Sequence, residues 1–168
     1  GDSVLVEVTS ADLGANREIT DEFGRMAALL AKQIIRQRVR EAERRLVYEN
    51  FKGREGELIH GKVQRVRNGN MIVELGQTEA ILPRRELPIR EKYKEGDRIK
   101  AVIMEVRLGP KGPQIVLSRA HPWLVQRLFE MEITEVFDKT VEIRAIAREA
   151  GFRTKIAVTS RDPNVDPV

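Results

Sequence analysis

The chain is 168 residues long, carries 30 Lys and Arg against 26 Asp and Glu for a net charge of +4, and has no cysteine. That length suits one or two small domains with enough apolar residues for a core. Without cysteine, disulfides and thiolate metal sites are excluded. No apolar run approaches membrane-spanning length and no signal-peptide pattern opens the chain, so the expected location is the cytoplasm.

The charge is unevenly distributed. Residues 1–52 carry 9 Lys and Arg against 9 Asp and Glu, residues 53–120 carry 14 against 9, and residues 121–168 carry 7 against 8. The surplus therefore sits in the middle segment, and a polyanionic partner is expected there.

Residues 1–8 (GDSVLVEV) alternate as an edge or hairpin strand would, and the start without methionine suggests a piece cut from a longer protein. Residues 10–19 read as a polar loop. Thr20 can then N-cap a helix whose first turn holds Asp21 and Glu22 at the positive end of the dipole, with the helix running to about Asn50. Thirty residues at 1.5 Å rise span roughly 45 Å, the length of a connector. Phe23, Ala27, Leu30 and Ile34 form one apolar stripe, expected to pack on an N-terminal body. Ile35, Val39, Ala42 and Leu46 continue it one residue out of phase and are expected to pack on the following domain. Lys32, Arg36, Arg40 and Arg44 recur every fourth residue as a basic ridge, a contact surface for protein or RNA, and Glu41 is spaced to pair with Arg45. Phe51, Lys52, Gly53 and Arg54 end the helix.

Five short apolar-alternating runs come next, at residues 57–66, 70–75, 79–82, 98–106 and 114–118, separated by turn chemistry such as Asn68-Gly69-Asn70. Five strands over this length indicate a closed OB-fold barrel. Alternation directs Ile59, Val63, Met71, Val73, Leu75, Ile99, Ala101 and Ile103 inward and His60, Lys62, Gln64, Ile72 and Lys100 outward. Beyond the barrel, a short helix starts at His121-Pro122-Trp123, and residues 140–147 and 154–159 read as two strands. The fold class is thus α+β and multi-domain. The expected divisions are 1–52 for the connector and the segment preceding it, 53–120 for the barrel, and 121–168 for an α-β-β element that is too small to make a good core alone.

Catalytic chemistry finds little footing. His60 and His121 are far apart and match no metal-ligand spacing, and the glycines fit neither phosphate-loop pattern. No catalytic residue, metal or cofactor is expected. Cations, by contrast, border the barrel face that binds single strands in OB folds. Lys62, Arg65 and Arg67 lie at the end of the first strand, Arg84 and Arg85 after the third, and Arg107, Lys111 and Arg119 flank the last hairpin.

The barrel resembles the RNA-binding OB module first described in the largest protein of the small ribosomal subunit, in Gly61-Lys62-Val63, Ile72-Val73-Glu74-Leu75, Gly96-Asp97-Arg98-Ile99 and Val116-Leu117-Ser118-Arg119. More specific are Phe23-Gly24-Arg25-Met26-Ala27-Ala28, Arg40-Glu41-Ala42-Glu43-Arg44, the Ile143-Arg144-Ala145-Ile146-Ala147-Arg148-Glu149 run and Asp162-Pro163-Asn164-Val165-Asp166-Pro167. Through these the whole chain resembles the NusA family of bacterial transcription elongation and termination factors. The resemblance implies a polymerase-binding N-terminal part, an OB domain, and the start of a type II KH domain whose RNA-clamping GxxG loop would lie past residue 168. It further implies RNA polymerase, nascent single-stranded RNA and other elongation or antitermination factors as partners of a monomeric, membrane-free protein that modulates pausing, termination and antitermination. Other members of the barrel family stack bases on aromatics at the positions of Gly69 and Ile72 and on a histidine at that of Pro83, all absent here, so weak and largely electrostatic binding is expected. Two other classes stay open: an accessory module of an RNA-processing enzyme, in which the KH domain typically precedes the barrel, and a protein-interaction scaffold with incidental RNA contact.

Overall fold

The computed structural model describes residues 10–109 and 112–167, with side chains from residue 23 onward, so the expected strand at residues 1–8 and Lys111 lie outside the described residues. The chain divides into two units, residues 1–43 and 44–168. The described part of the first belongs to helix α1 (Ser10–Phe51), whose last residues belong to the second unit. The expected loop at 10–19 and the cap at Thr20 are both corrected, because the helix already runs through them. Polarity alone is a poor breaker: Ala11, Leu13, Ala15, Arg17 and Glu18 are good helix formers, which outweigh Gly14 and Asn16. Phe23, Leu30, Ile34, Ile35 and Val39 are all exposed. Glu41 pairs back to Arg38 and accepts from Gln37 rather than reaching Arg45.

In the second unit, the helix end packs on the barrel through Val47 and Phe51. The expected Leu46 is instead exposed, a correction of one residue in helical phase. Gly53, at a φ of 81°, takes the left-handed conformation that ends the helix.

Five strands then close a barrel in the order β1-β2-β3-β5-β4: β1 (Leu58–Arg67), β2 (Asn70–Glu74), β3 (Glu79–Leu82), β4 (Arg98–Gly109) and β5 (Gly112–Ser118). β3 and β5 run parallel, Ala80 opposite Ile115 and Ile81 opposite Val116, and the other pairs are antiparallel. The expected inward residues fill the interior: Val63, Val73 and Ile103 are fully buried, Ile59, Met71, Ile99 and Ala101 nearly so, and Leu75 packs at the edge. β1 serves two neighbours, pairing with β4 through Leu58–Lys62 and with β2 through Lys62–Arg67. Gly61 lies where these pairings meet, and a Cβ there would stand 2.4 Å from Val73 Cγ1 and 2.9 Å from the Glu74 carbonyl. The strand can bend this tightly only because position 61 has no side chain.

Two β-bulges break the alternation. Val63 pairs with Val73 but Arg65 with Ile72, and Ile103 pairs with Leu117 but Glu105 with Val116. Strict parity would aim Arg65 and Glu105 into the core, and the extra residues Gln64 and Met104 turn both charges outward.

The chain leaves the barrel through Ser118, whose buried hydroxyl accepts from the amides of Ala120 and His121. Helix α2 (Pro122–Glu132) is next, with the His121 ring nitrogen capping it by accepting from the Trp123 amide. A four-residue helix, α3 (Thr134–Phe137), follows at once, beyond the single short helix that the sequence suggests. The hairpin of β6 (Val141–Glu149) and β7 (Arg153–Ser160) completes the unit. Val102, which alternation points out of the barrel, is fully buried, and α2, whose buried residue is Leu124, packs against β4 and β1.

The loop after β3 ties these parts together. Arg119 forms a two-pronged ion pair with Glu91, donates to the Lys100 carbonyl and lies over the Tyr93 ring. Arg148 of β6 donates to the His121 carbonyl, and Arg90 covers the Phe152 ring. Burial pushes the Glu91 carboxyl up, but hydrogen bonds from Arg119 and Tyr93 and the charge of Arg148 hold it below the usual carboxylate range.

This packing makes two outcomes testable. Gly61→Ala should destabilise the second unit by about 2–3 kcal/mol through overpacking, read as a lower urea midpoint. A Glu91→Gln variant should lose about 1–3 kcal/mol at neutral pH. Because folding lowers the Glu91 pKa, its contribution is complete above the unfolded-state value and vanishes as pH falls through the folded one. The gap between wild type and Glu91→Gln should therefore close in acid.

Candidate nucleic-acid interface

Barrel geometry sorts the expected cations into three groups. Around the β1–β2 turn, Asn68 and Gly69 take φ of 51° and 77°, the hairpin conformation their residue types favour. Asn70 opposite Arg67 accepts from the Arg84 amide, which seats the short 3-10 turn Arg84–Glu86 against the hairpin. The Arg84 stem lies across Gly69, where a Cβ would meet its Cδ at 2.8 Å. Arg67 and Arg84 thus come together at one rim, both exposed and without a carboxylate partner among the described residues. Arg85 is exposed beside them, 3.7 Å from Glu86.

On the outer face of β2, β3 and β5 the arrangement differs. Ile72, Ile81 and Val116 form an aliphatic row across the three strands. Arg65 reaches over β2 to Glu79 at 3.4 Å, and Arg107 pairs with Glu105 on its own strand. The Arg107 hydrogen bond holds the Glu105 carboxyl below its ordinary pKa, so both partners stay charged. These two arginines border the expected face, but each already has a carboxylate.

Arg119 stands apart from both groups. Burial disfavours its charge and the Glu91 carboxylate more than restores it, and its guanidinium is spent on Glu91 and the Lys100 carbonyl. Arg107 and Arg119 lie at opposite ends of the β4–β5 pairing and do not form one patch.

Lys62 belongs to a third group. It pairs in register with Arg98, and His60 with Lys100, on the outer side of β1 and β4. Arg98 was absent from the sequence-based candidates, and only the β1–β4 register brings it beside Lys62. Of the helix ridge, Lys32, Arg36 and Arg40 are exposed in the first unit. Arg44, in the second, lies along Gly112, where a Cβ would meet its stem at 3.1 Å.

Among the described residues no group of three His, Asp or Glu side chains is placed to hold a metal, and no helix is long and apolar enough to cross a membrane. The arrangement offers chemistry of one kind, hydrogen-bond donors and positive charge directed at solvent.

Comparison with known proteins agrees along the full length. Residues 5–45 match the NusA N-terminal domain, residues 52–118 the S1 RNA binding domain, and residues 119–168 the NusA-like first KH domain. The transcription termination/antitermination protein NusA of Bacillus subtilis is 50% identical over 168 residues, 100% of this chain and 43% of that protein. Its namesake in Thermus thermophilus is 48% identical over 149 residues, 88% of this chain and 38% of that protein. Among solved structures, GSP13 from Bacillus subtilis is 26% identical over 40% of this chain and 55% of that one, with a TM-score of 0.35. The chain thus spans less than half the length of the curated relatives it matches. With half of its residues identical to one such relative, and three consecutive matches in the N-terminal, S1 and KH order, this chain belongs to the NusA family.

Proposed function

We propose that this chain is a non-enzymatic, cytoplasmic transcription factor module that binds RNA polymerase and nascent RNA, and so modulates pausing, termination and antitermination alongside other elongation factors. In this reading residues 1–52 belong to the polymerase-binding part and its connector, residues 53–120 are the RNA-binding barrel, and residues 121–168 begin a KH domain. The protein acts as a monomer and needs no cofactor. The basic ridge of Lys32, Arg36, Arg40 and Arg44 is an accessory contact for protein or RNA.

The observation that carries the RNA reading is the pairing of an S1 RNA binding domain match with unneutralised arginines at one rim. Arg67 and Arg84, with Arg85 beside them, meet a phosphate backbone as it crosses the hairpin. Arg65 and Arg107 contribute less, since RNA must first displace Glu79 and Glu105. Lys111, outside the described residues, is a further candidate phosphate contact on its charge alone. Arg119 serves by holding the loop after β3 in place. The aliphatic row of Ile72, Ile81 and Val116 offers bases a surface without the roughly 1–3 kcal/mol per base that aromatic stacking supplies, so binding is weak and salt-sensitive.

The test is a titration of labelled single-stranded RNA with the 168-residue chain at several salt concentrations. Arg67→Gln/Arg84→Gln should weaken binding and reduce the slope of log K against log salt by about 1.4, two phosphates at about 0.7 each. Arg65→Gln/Arg107→Gln should change the slope far less. Equal effects of the two pairs, or none, would sink the assignment of the rim.

A further inference from the structure

We infer that the outer wall of β1 and β4 is a second phosphate-binding track of the barrel, separate from the β2-β3-β5 face and the hairpin rim. The inference rests on the reading of this barrel as an RNA binder and extends it to a surface that the family matches do not assign.

The wall is built by register. His60 stands opposite Lys100 and Lys62 opposite Arg98, so four basic side chains emerge on one side of two paired strands. They surround a cavity of about 630 Å³ whose other lining residues are Gly61 and Ile99. Ile99 is buried in the core and a side chain at position 61 would also point there, so the floor is backbone. Lys62 and Arg98 have no carboxylate at ion-pair distance among the described residues. The neighbouring carboxylates sit at the margins: Glu132 of α2 is 4.0 Å from Lys100, and Glu74 is Lys62's partner on β2. By contrast the β2-β3-β5 face, where OB folds bind single strands, has its arginines paired.

The chemistry selects a phosphate backbone over a protein. Successive outward side chains on a strand are about 6.6 Å apart, a repeat that suits consecutive phosphates of an extended strand. The side chains that reach solvent around this cavity, His60, Lys62, Arg98 and Lys100, are all basic, whereas the centre of a protein interface is depleted of charge and enriched in aromatic residues.

The experiment uses the 168-residue chain and labelled oligouridylate over a salt series, with poly-glutamate as an acidic competitor. Lys62→Gln/Arg98→Gln should lower the magnitude of the salt slope by about 1.4, while the charge-conserving Lys62→Arg/Arg98→Lys should retain it. Both changes are at exposed positions, and an unchanged urea midpoint will show that the fold is intact. An unchanged slope in the Gln pair, with Arg67→Gln/Arg84→Gln still weakening binding, overturns the second track and leaves the RNA reading standing. If the Gln pair loses poly-glutamate but not RNA, the wall recognises acidic protein and the inference is overturned. If neither pair affects RNA, both readings fall together.

Discussion

Everything the second unit presents to solvent depends on one strand closing the barrel. β1 is shared between β4 and β2, and the exchange occurs across Lys62. A strand that changes partners this abruptly must coil, and the inside of the coil has no room for a Cβ, which is why position 61 is glycine. Once β1 is bent there, the parallel β3–β5 pairing can complete the circuit and the interior fills with fully buried Val63, Val73, Leu82, Ile103, Ile115 and Leu117. The same bend turns His60 and Lys62 toward Arg98 and Lys100 and leaves Arg65 and Arg67 to face β2. Closure and the sorting of positive charge are one geometric event.

Charge on this barrel differs in consequence from place to place. Two bulges rescue Arg65 and Glu105 from an interior where an unpaired charge would be very costly. Having been turned out, Arg65 finds Glu79 and Arg107 finds Glu105, so the central face of the barrel is close to locally neutral. Exposed pairs of this kind add little stability. They do raise the cost of bringing in a phosphate, since it must compete with a carboxylate already in place. Net positive field survives where cations lack such partners, at Arg67 and Arg84 and at Lys62 and Arg98. That distribution motivates the proposed RNA path, which runs along the margins of the barrel rather than its middle.

The barrel is also the platform for the helices and hairpin beyond β5. Arg119 and Ala120 lock the exit of β5 to the loop after β3, both amides donating to the Glu86 carbonyl and the Arg119 guanidinium pairing with Glu91, and that loop in turn touches the β6–β7 hairpin through Arg90 and Phe152. Gly151, at a φ of 86°, lets the hairpin turn come close to Pro88. The long charged side chains here act as struts: Arg119, Arg127 and Arg148 each donate to a backbone carbonyl of a neighbouring segment. Counting them as free RNA-binding charge would misjudge the surface. The S1 and KH matches therefore lie on one compact unit.

The sequence alone was enough to place the five barrel strands within a few residues, the inward set from Ile59 to Ile103, the Asn68-Gly69 turn, the end of α1 and the α-then-β-hairpin order after the barrel. These are local matters: side-chain period, turn residues and helix propensity act within a few positions of the chain. Its family was legible for a related reason, since the motifs are contiguous runs. One correction is itself local, and the others are not. The polar decade before Thr20 joined the helix because residues that form helices well need not be apolar. Leu46 yielded its place to Val47 because helical phase at the barrel is set by what the helix end meets. Arg98 joined Lys62 only through β1–β4 register, between residues far apart in sequence. Whether a cation stays available or is spent on a carboxylate depends on distances across strands. Those distances exist only once the barrel has closed.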